Sequence, residues 1–400
     1  MRGMLEDLTI IDITNNIAGP SCAAMLADHG AEVIHVEKPM FGDDCRHFAP
    51  KIGRDSGVHF YANRSKKSVV LDLKDAVGAQ VIKTLAKGAD VLIESNRPGV
   101  MKRFGLDYET LRAINPRLVY CSISAFGQSG PYADRAGYDI IAQAYSGMLY
   151  YTGEPGGGPV KNYFAVGDYV CAYTAYGSIL TALYHRERTG AGQYVDVSLA
   201  RGLLSMNACI TDPISGLSRP KAGNHDSHLC PYGIFNGPNG GAIVIAALSV
   251  ALWEKLCTAM DRPEMAHDPD FETNDARVAR MGEVIALIEA WLRKCGSVEA
   301  AAAILDRHGV PNFKAFTVDD ILHDPHAREA GWLQDLPLPP SVSDASVCPA
   351  VFGVADYSAG GIRLERAPEL GEHGIEILMR CGLTREEAEA YEAGLLPDNR

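Results

Sequence analysis

Asp168 stands in the stretch VGDYVCAY, directly ahead of a long apolar helical pattern that runs from Tyr169 to about Arg188. A carboxylate at that place reads first as a helix N-cap or first-turn residue, because orphan N–H groups and the macrodipole at a helix start favour negative charge. The same setting is expected to keep the carboxylate ionised. Cations collect elsewhere. Lys38 follows one apolar run, Lys74 another, and Asn96, Arg97, Lys102 and Arg103 a third. Singly, such residues are mostly solvated surface charges, but grouped behind successive runs they could hold a polyanionic ligand. Two glycine-rich stretches, 156–158 and 237–241, offer unhindered backbone N–H groups to a developing oxyanion, or are simply turns.

Other chemistries lack their motifs. The turn after TIIDI reads TNNIAGPSC and has no G-x-G-x-x-G to approach a pyrophosphate, and no Walker A sequence follows. GQSGP and AYSGM are not nucleophile elbows, and there is no H-E-x-x-H helix. The ten cysteines are scattered singly, without C-x-x-C pairs or histidines at ligand spacing, so neither a disulfide framework nor a metal site is expected. A reducing cytoplasm fits that pattern. A formal net charge of -13 argues against nucleic acid or an anionic membrane as partner. Acidic residues interrupt the apolar positions of MRGMLEDLTIIDIT, and no later stretch approaches ~18 uninterrupted apolar residues, so a soluble protein is expected.

These residues need a scaffold, and the first 125 residues supply the pattern of one. Runs at 9–13, 31–37, 68–73, 89–95 and 117–124 read as buried strands, with helical segments such as PSCAAMLADHG and AVGAQVIKTLAKG between them. Repeated βα units imply a parallel sheet covered on both faces, with ligands outside the carboxyl ends of its strands. Pro, Gly, Asn and His accumulate over 211–240, which reads as a linker into a smaller α+β unit. That unit has a strand AIVIAAL and helical patterns near 249–261, 274–295 and 297–308, ending near Phe316. A short acidic helix around 384–394 closes the chain.

Several segments, in order, resemble one family. They include LADHGAEVIHVEKP with a following GD, NRSKKSVVLDLK, DVLIESNRPGVMKRFGLDYETLRAINPRLVYCSISAFGQSGPYADRAGYD, GDYVCAYTAYGSILTALYHRERTGAGQYVDVSL and PYGIF. Together they are similar to the class III CoA-transferases, also called CaiB/BaiF. The resemblance implies an interlocked homodimer, each subunit having a large doubly wound, Rossmann-like parallel α/β domain and a smaller α+β domain. The boundaries it suggests are 1–210 for the first part of the large domain, 211–240 for a linker, 241–316 for the small domain, and 317–400 for a second linker and a return to the large domain.

The resemblance also implies an activity: coenzyme A passes from an acyl-CoA, succinyl-CoA or acetyl-CoA, to a small carboxylic acid, with no permanently bound cofactor and no metal. Asp168 matches the nucleophile, forming an aspartyl anhydride and then an aspartyl-CoA thioester. Ile17, Lys38, Asp72, Lys74, Asn96, Arg97, Arg103, Tyr138 and Asp139 match positions around coenzyme A, and Gly240 and Gly241 match the substrate side. Lys38 stands where relatives often carry Arg, and Ile17 where oxalate-handling relatives have Gln, which argues against oxalate. Arg46, His47, His225 and His228 are candidates to pair with a second carboxylate. Two alternatives are weaker. An α-methylacyl-CoA racemase would use a histidine where this chain has Tyr138, a poor proton shuttle. A non-catalytic CoA-binding protein would have no need of Asp168.

Overall fold

The structure, a computed structural model, describes residues 3–216, 219–342, 345–352 and 355–397. The chain divides into two compact units: Met1–Ser146, Tyr163–Asn207 and Pro325–Arg400 form the first, and Gly147–Asn162 with Ala208–Asp324 the second.

The first unit is built on six strands: β1 (Thr9–Ile13), β2 (Glu32–Glu37), β3 (Lys67–Val70), β4 (Val91–Glu94), β5 (Val119–Ser124) and β6 (Tyr194–Ser198). All pair in parallel, in the order β3-β2-β1-β4-β5-β6. Ile11 sits level with Ile34 on one side and Leu92 on the other, so the centre of the sheet is a row of fully buried aliphatics. The strand order reverses between β1 and β4, which opens a crevice beyond their carboxyl ends.

Helices α1 (Ala18–Asp28), α2 (Ala76–Ala86), α3 (Asp139–Tyr145), α4 (Val166–Thr189) and α5 (Leu199–Ser205) belong to this unit. Helix α4 packs along α1 and against α3 and α5, and stops at Gly190, whose left-handed backbone (φ 76°) closes it.

The second unit holds a three-stranded antiparallel sheet, with β8 (Ala242–Ala246) between β7 (Tyr232–Asn236) and β9 (Asn312–Lys314). Helices α6 (Val250–Ala259), α7 (Met281–Cys295) and α8 (Val298–His308) cover one face. Ile243 and Ile245 are fully buried while Val244 between them is exposed, the period-two signature of a sheet wet on one side.

The sequence boundaries differ from these units in three places. Strand β7 lies inside the stretch read as a linker, because the Pro and Gly residues there mark the hairpin from β7 to β8. Residues 147–162 join the second unit, and that unit continues to Asp324. The helical pattern over 274–295 is broken at Arg280, which leaves helical geometry (φ -114°).

After the second unit the chain returns to the first. Helices α9 (Gly374–Arg380) and α10 (Arg385–Ala393) place Ile377, Leu378 and Ala388 in the same core as Ile11, Ile34 and Leu92. Thr384 and Glu387 form a capping box at the start of α10. Among the described residues no helix is long and apolar enough to cross a membrane.

Candidate active site

Asp168 lies in the first turn of α4, three residues past the cap residue Ala165, and no cap side chain bonds this helix start. Its carboxylate accepts no hydrogen bond from any described residue and is half-buried. Asp139, at the start of α3, approaches from the side. One Asp139 oxygen accepts the Gly167 N–H and the other accepts Gln143 Nε2, both at 2.6 Å. A Cβ on Gly167 would fall 2.9 Å from that first oxygen and 3.1 Å from Leu203, so only glycine allows so close an approach.

The electrostatics work against the ionised state expected from the sequence. Burial, and then the neighbouring Asp139 carboxylate, push the Asp168 pKa up to about 7. A helix start is too weak to offset a desolvated like-charge pair. The carboxylate is therefore poised near neutrality, where a tuned nucleophile can switch between protonated and reactive forms.

The crevice at the strand-order reversal is a cleft of about 790 Å³ lined by Thr14, Asn15 and Asn16 after β1, Lys38, Pro39 and Phe41 to Asp44 after β2, Asp72 to Lys74 after β3, and Ser95 and Asn96 after β4. Lys38, Asp72, Lys74 and Asn96 are thus brought together. Lys38 Nζ is held 2.6 Å from Asp44 Oδ1, so a phosphate would have to share that cation. Lys74 is exposed and forms no ion pair among the described residues; its N–H donates to Asp72 Oδ1 at 2.9 Å.

Arg97 faces a second hollow, beside Lys102, Tyr108 and Tyr194. Arg103 and Ile17 line neither hollow; Ile17 serves as the backbone cap of α1. Tyr138 precedes α3 with 69% of its surface exposed.

Beneath the cleft lies a set of buried charges that hydrophobic patterning conceals. His35 on β2 sits between two carboxylates, Nδ1 2.9 Å from Asp12 and Nε2 3.3 Å from Asp43, all three buried. Lys66 Nζ reaches Asp12 at 2.8 Å and also donates to Asn63 Oδ1 and the Pro20 carbonyl. Asp43 accepts the N–H of Asn16, a residue at φ 74°, and Asp12 accepts the N–H of Thr14. Burial opposes the imidazolium, yet the Asp12 charge and contacts to Asp12 and Asp43 raise the His35 pKa to about 9. For Asp12, burial is outweighed by Lys66 and His35, which hold its carboxyl far below the usual range. The network fixes the turns after β1 and β2 that form the cleft. Its only sequence signal is polar residues inside apolar strands, Asp12 in TIIDI and His35 in EVIHVE.

Arg46 is not available to a substrate. It is buried in a two-pronged pair with Glu37, at 2.7 Å for each prong, and a further contact to Asp55 at 3.0 Å. His47 Nε2 lies 2.8 Å from the Phe41 carbonyl. In the second unit, His228 is tied to Ser227, and His225 packs edge-on to Phe235.

Gly240 takes a left-handed backbone (φ 76°) in the β7–β8 hairpin, where the Gly237 N–H bonds the Gly241 carbonyl and the Gly241 N–H bonds Pro238. The Gly157 N–H likewise bonds Glu154. The N–H groups of Gly237, Gly241 and Gly157 are therefore engaged within their own loops rather than held out as donors. Among the described residues no group of His, Cys, Asp or Glu is placed to hold a metal ion.

The geometry has counterparts in known proteins. The family model described as CoA-transferase family III matches residues 5–374. The succinate–glutarate CoA-transferase of Agrobacterium fabrum is 35% identical over 384 residues, covering 94% of each chain. The succinyl-CoA–D-citramalate CoA-transferase of Chloroflexus aurantiacus is 33% identical over 418 aligned positions, covering 97% of each. A crystal structure of a CAIB/BAIF family protein from Brucella suis superposes with a TM-score of 0.84 at 33% identity, over 95% of this chain and 100% of that one. Matched along nearly its whole length in sequence and in fold, the chain belongs to CoA-transferase family III.

Proposed function

We propose that the protein moves coenzyme A from succinyl-CoA to a small carboxylic acid, with the Asp168 carboxylate as covalent nucleophile. The observation that carries this reading is a half-buried carboxylate at a helix start that no described protein donor occupies. The names of the relatives, which pair succinate or succinyl-CoA with glutarate and citramalate, support succinyl-CoA as donor and a dicarboxylate as acceptor.

In the proposed cycle, ionised Asp168 attacks the thioester carbonyl, the C–S bond breaks, and CoA thiolate leaves behind a succinyl-aspartyl anhydride. The thiolate then attacks the aspartyl carbonyl and expels succinate, which leaves an aspartyl-CoA thioester. The acceptor carboxylate attacks that thioester and frees the thiolate once more. Finally the thiolate takes the acceptor acyl group and restores the Asp168 carboxylate. Asp139 acts on Asp168 rather than on coenzyme A, because both its oxygens are held by protein donors. Lys38, Lys74, Asn96 and Arg97 bind the phosphates and adenosine of coenzyme A.

The working form is an interlocked homodimer. Tyr163, Phe164 and Tyr184 of the first unit are 88%, 70% and 66% exposed in the single chain, large aromatic side chains that a partner subunit would cover. A stable, active species near 43.1 kDa in light scattering would overturn the dimer. Ten free cysteines are consistent with a cytoplasmic setting.

The deciding experiment offers succinyl-CoA and acetyl-CoA with a panel of mono- and dicarboxylic acids and identifies the CoA products by mass spectrometry. A new acyl-CoA with matching loss of succinyl-CoA supports the reading. Turnover with no acceptor, or epimerisation of a 2-methylacyl-CoA, rejects it.

A further inference from the structure

The loops that form the cleft are fastened by residues near the end of the chain, beyond the 5–374 segment that the family model matches. Tyr391 of α10 sets its hydroxyl against the loop after β3. The hydroxyl accepts the Asp72 N–H at 3.3 Å and donates to Asp75 Oδ2 at 3.1 Å. The other Asp75 oxygen accepts the Gly78 N–H at 2.7 Å, which caps α2. A Cβ on Gly78 would lie 2.1 Å from the Asp72 carbonyl oxygen and 3.1 Å from the Tyr391 hydroxyl, so loop, helix start and tyrosine meet without spare room.

The same segment also holds the opposite loop. The Leu395 carbonyl accepts the Met40 N–H at 2.7 Å. Met40 has a left-handed backbone (φ 60°), an unfavourable conformation for a side chain of its size, and Phe41 to Asp44 after it line the cleft. Helix α10 is itself anchored by its capping box and by Ala388 in the core. Tyr391 does not line the cleft.

We propose that the C-terminal segment around α10 sets the spacing of the two cation-bearing loops, with Tyr391 as a positioning residue for coenzyme A. The inference rests on the reading of this cleft as the coenzyme A site. Tyr391 acts through the Asp72–Lys74 backbone: its hydroxyl fixes the turn from which Lys74 reaches a phosphate.

The test uses full-length Tyr391→Phe, which removes one oxygen and keeps the ring. Free CoA is titrated by calorimetry, and KM and kcat are measured for acyl-CoA and acceptor. We expect the Kd for CoA and the KM for acyl-CoA to rise roughly fivefold, as loss of the two half-buried hydrogen bonds of this hydroxyl allows. The acceptor KM and kcat should stay within about twofold. The double variant Tyr391→Phe/Lys74→Ala should bind CoA no more weakly than Lys74→Ala alone, because the two act through one contact. Wild-type CoA affinity in Tyr391→Phe while Lys74→Ala binds weakly would overturn the inference and leave the site assignment standing. So would additive losses in the double variant, or a fall in kcat equal to the loss of binding. If Lys74→Ala itself binds CoA like wild type, the site assignment fails and the inference falls with it.

Discussion

The Asp139 carboxylate holds the Gly167 N–H at 2.6 Å, one residue ahead of Asp168. One acidic side chain therefore does two things at the start of α4. It satisfies a helix-start N–H that no cap residue serves, and it places a negative charge beside Asp168, the proposed nucleophile.

Replacing Asp168 by Asn keeps the shape and removes the ability to form an anhydride. We expect Asp168→Asn to lose turnover by on the order of 10⁴ or more while CoA still binds. Incubating wild-type enzyme with acyl-CoA and then borohydride or hydroxylamine should modify residue 168, read by peptide mass spectrometry. An adduct on another residue, or appreciable turnover in Asp168→Asn, would exclude this nucleophile.

The raised pKa fixes the sign of the pH dependence. A carboxyl titrating near 7 is protonated and unreactive below that pH, so kcat/KM for acyl-CoA should fall roughly tenfold per unit on the acid side. Asp139→Asn removes the like charge but leaves the burial, which is the larger cause. Its acid limb should therefore move to lower pH by only part of the full displacement. A limb that stays in place in Asp139→Asn would show that Asp139 does not act on Asp168.

Lys74 and Arg97 carry charges with no ion pair among the described residues, and they face different hollows. Lys74→Ala and Arg97→Ala should each raise the KM for acyl-CoA about tenfold with little change in kcat, since phosphate contacts serve ground and transition states alike. Initial rates at saturating acceptor measure this. If only one variant responds, coenzyme A occupies only that hollow.

The buried imidazolium predicts a pH-dependent stability. The folded pKa of His35, about 9, lies above its ordinary value of 6.5, so its contribution is complete below pH 6.5 and is lost as pH rises through 9. The loss is of order 3 kcal/mol at most. Urea unfolding of wild type and His35→Gln at pH 6.5 and 9 should show a steeper decline in wild type. Equal declines would mean that the imidazole is neutral in the folded protein.

Much of the scaffold was legible in the sequence because it rests on local pattern. The five apolar runs are strands of the large sheet, their buried faces spelled out by β-branched and aliphatic residues, and Thr384 three residues before Glu387 announces the last helix. The family was legible in the order of the motifs, and the gathering of Lys38, Lys74 and Asn96 in their places after successive strands. Three things were not. Asp12 on β1, His35 on β2 and Lys66, just ahead of β3, meet only when the three strands assemble, so no spacing along the chain reveals them. The pKa of Asp168 depends on burial and on Asp139, 29 residues earlier, and both appear only when α3 packs against α4. Tyr391 reaches Asp72 across 319 residues, a contact decided by tertiary packing alone. Local periodicity determines which segments become helix or strand; desolvation and long-range contacts, which set charge state and loop position, exist only in the folded chain.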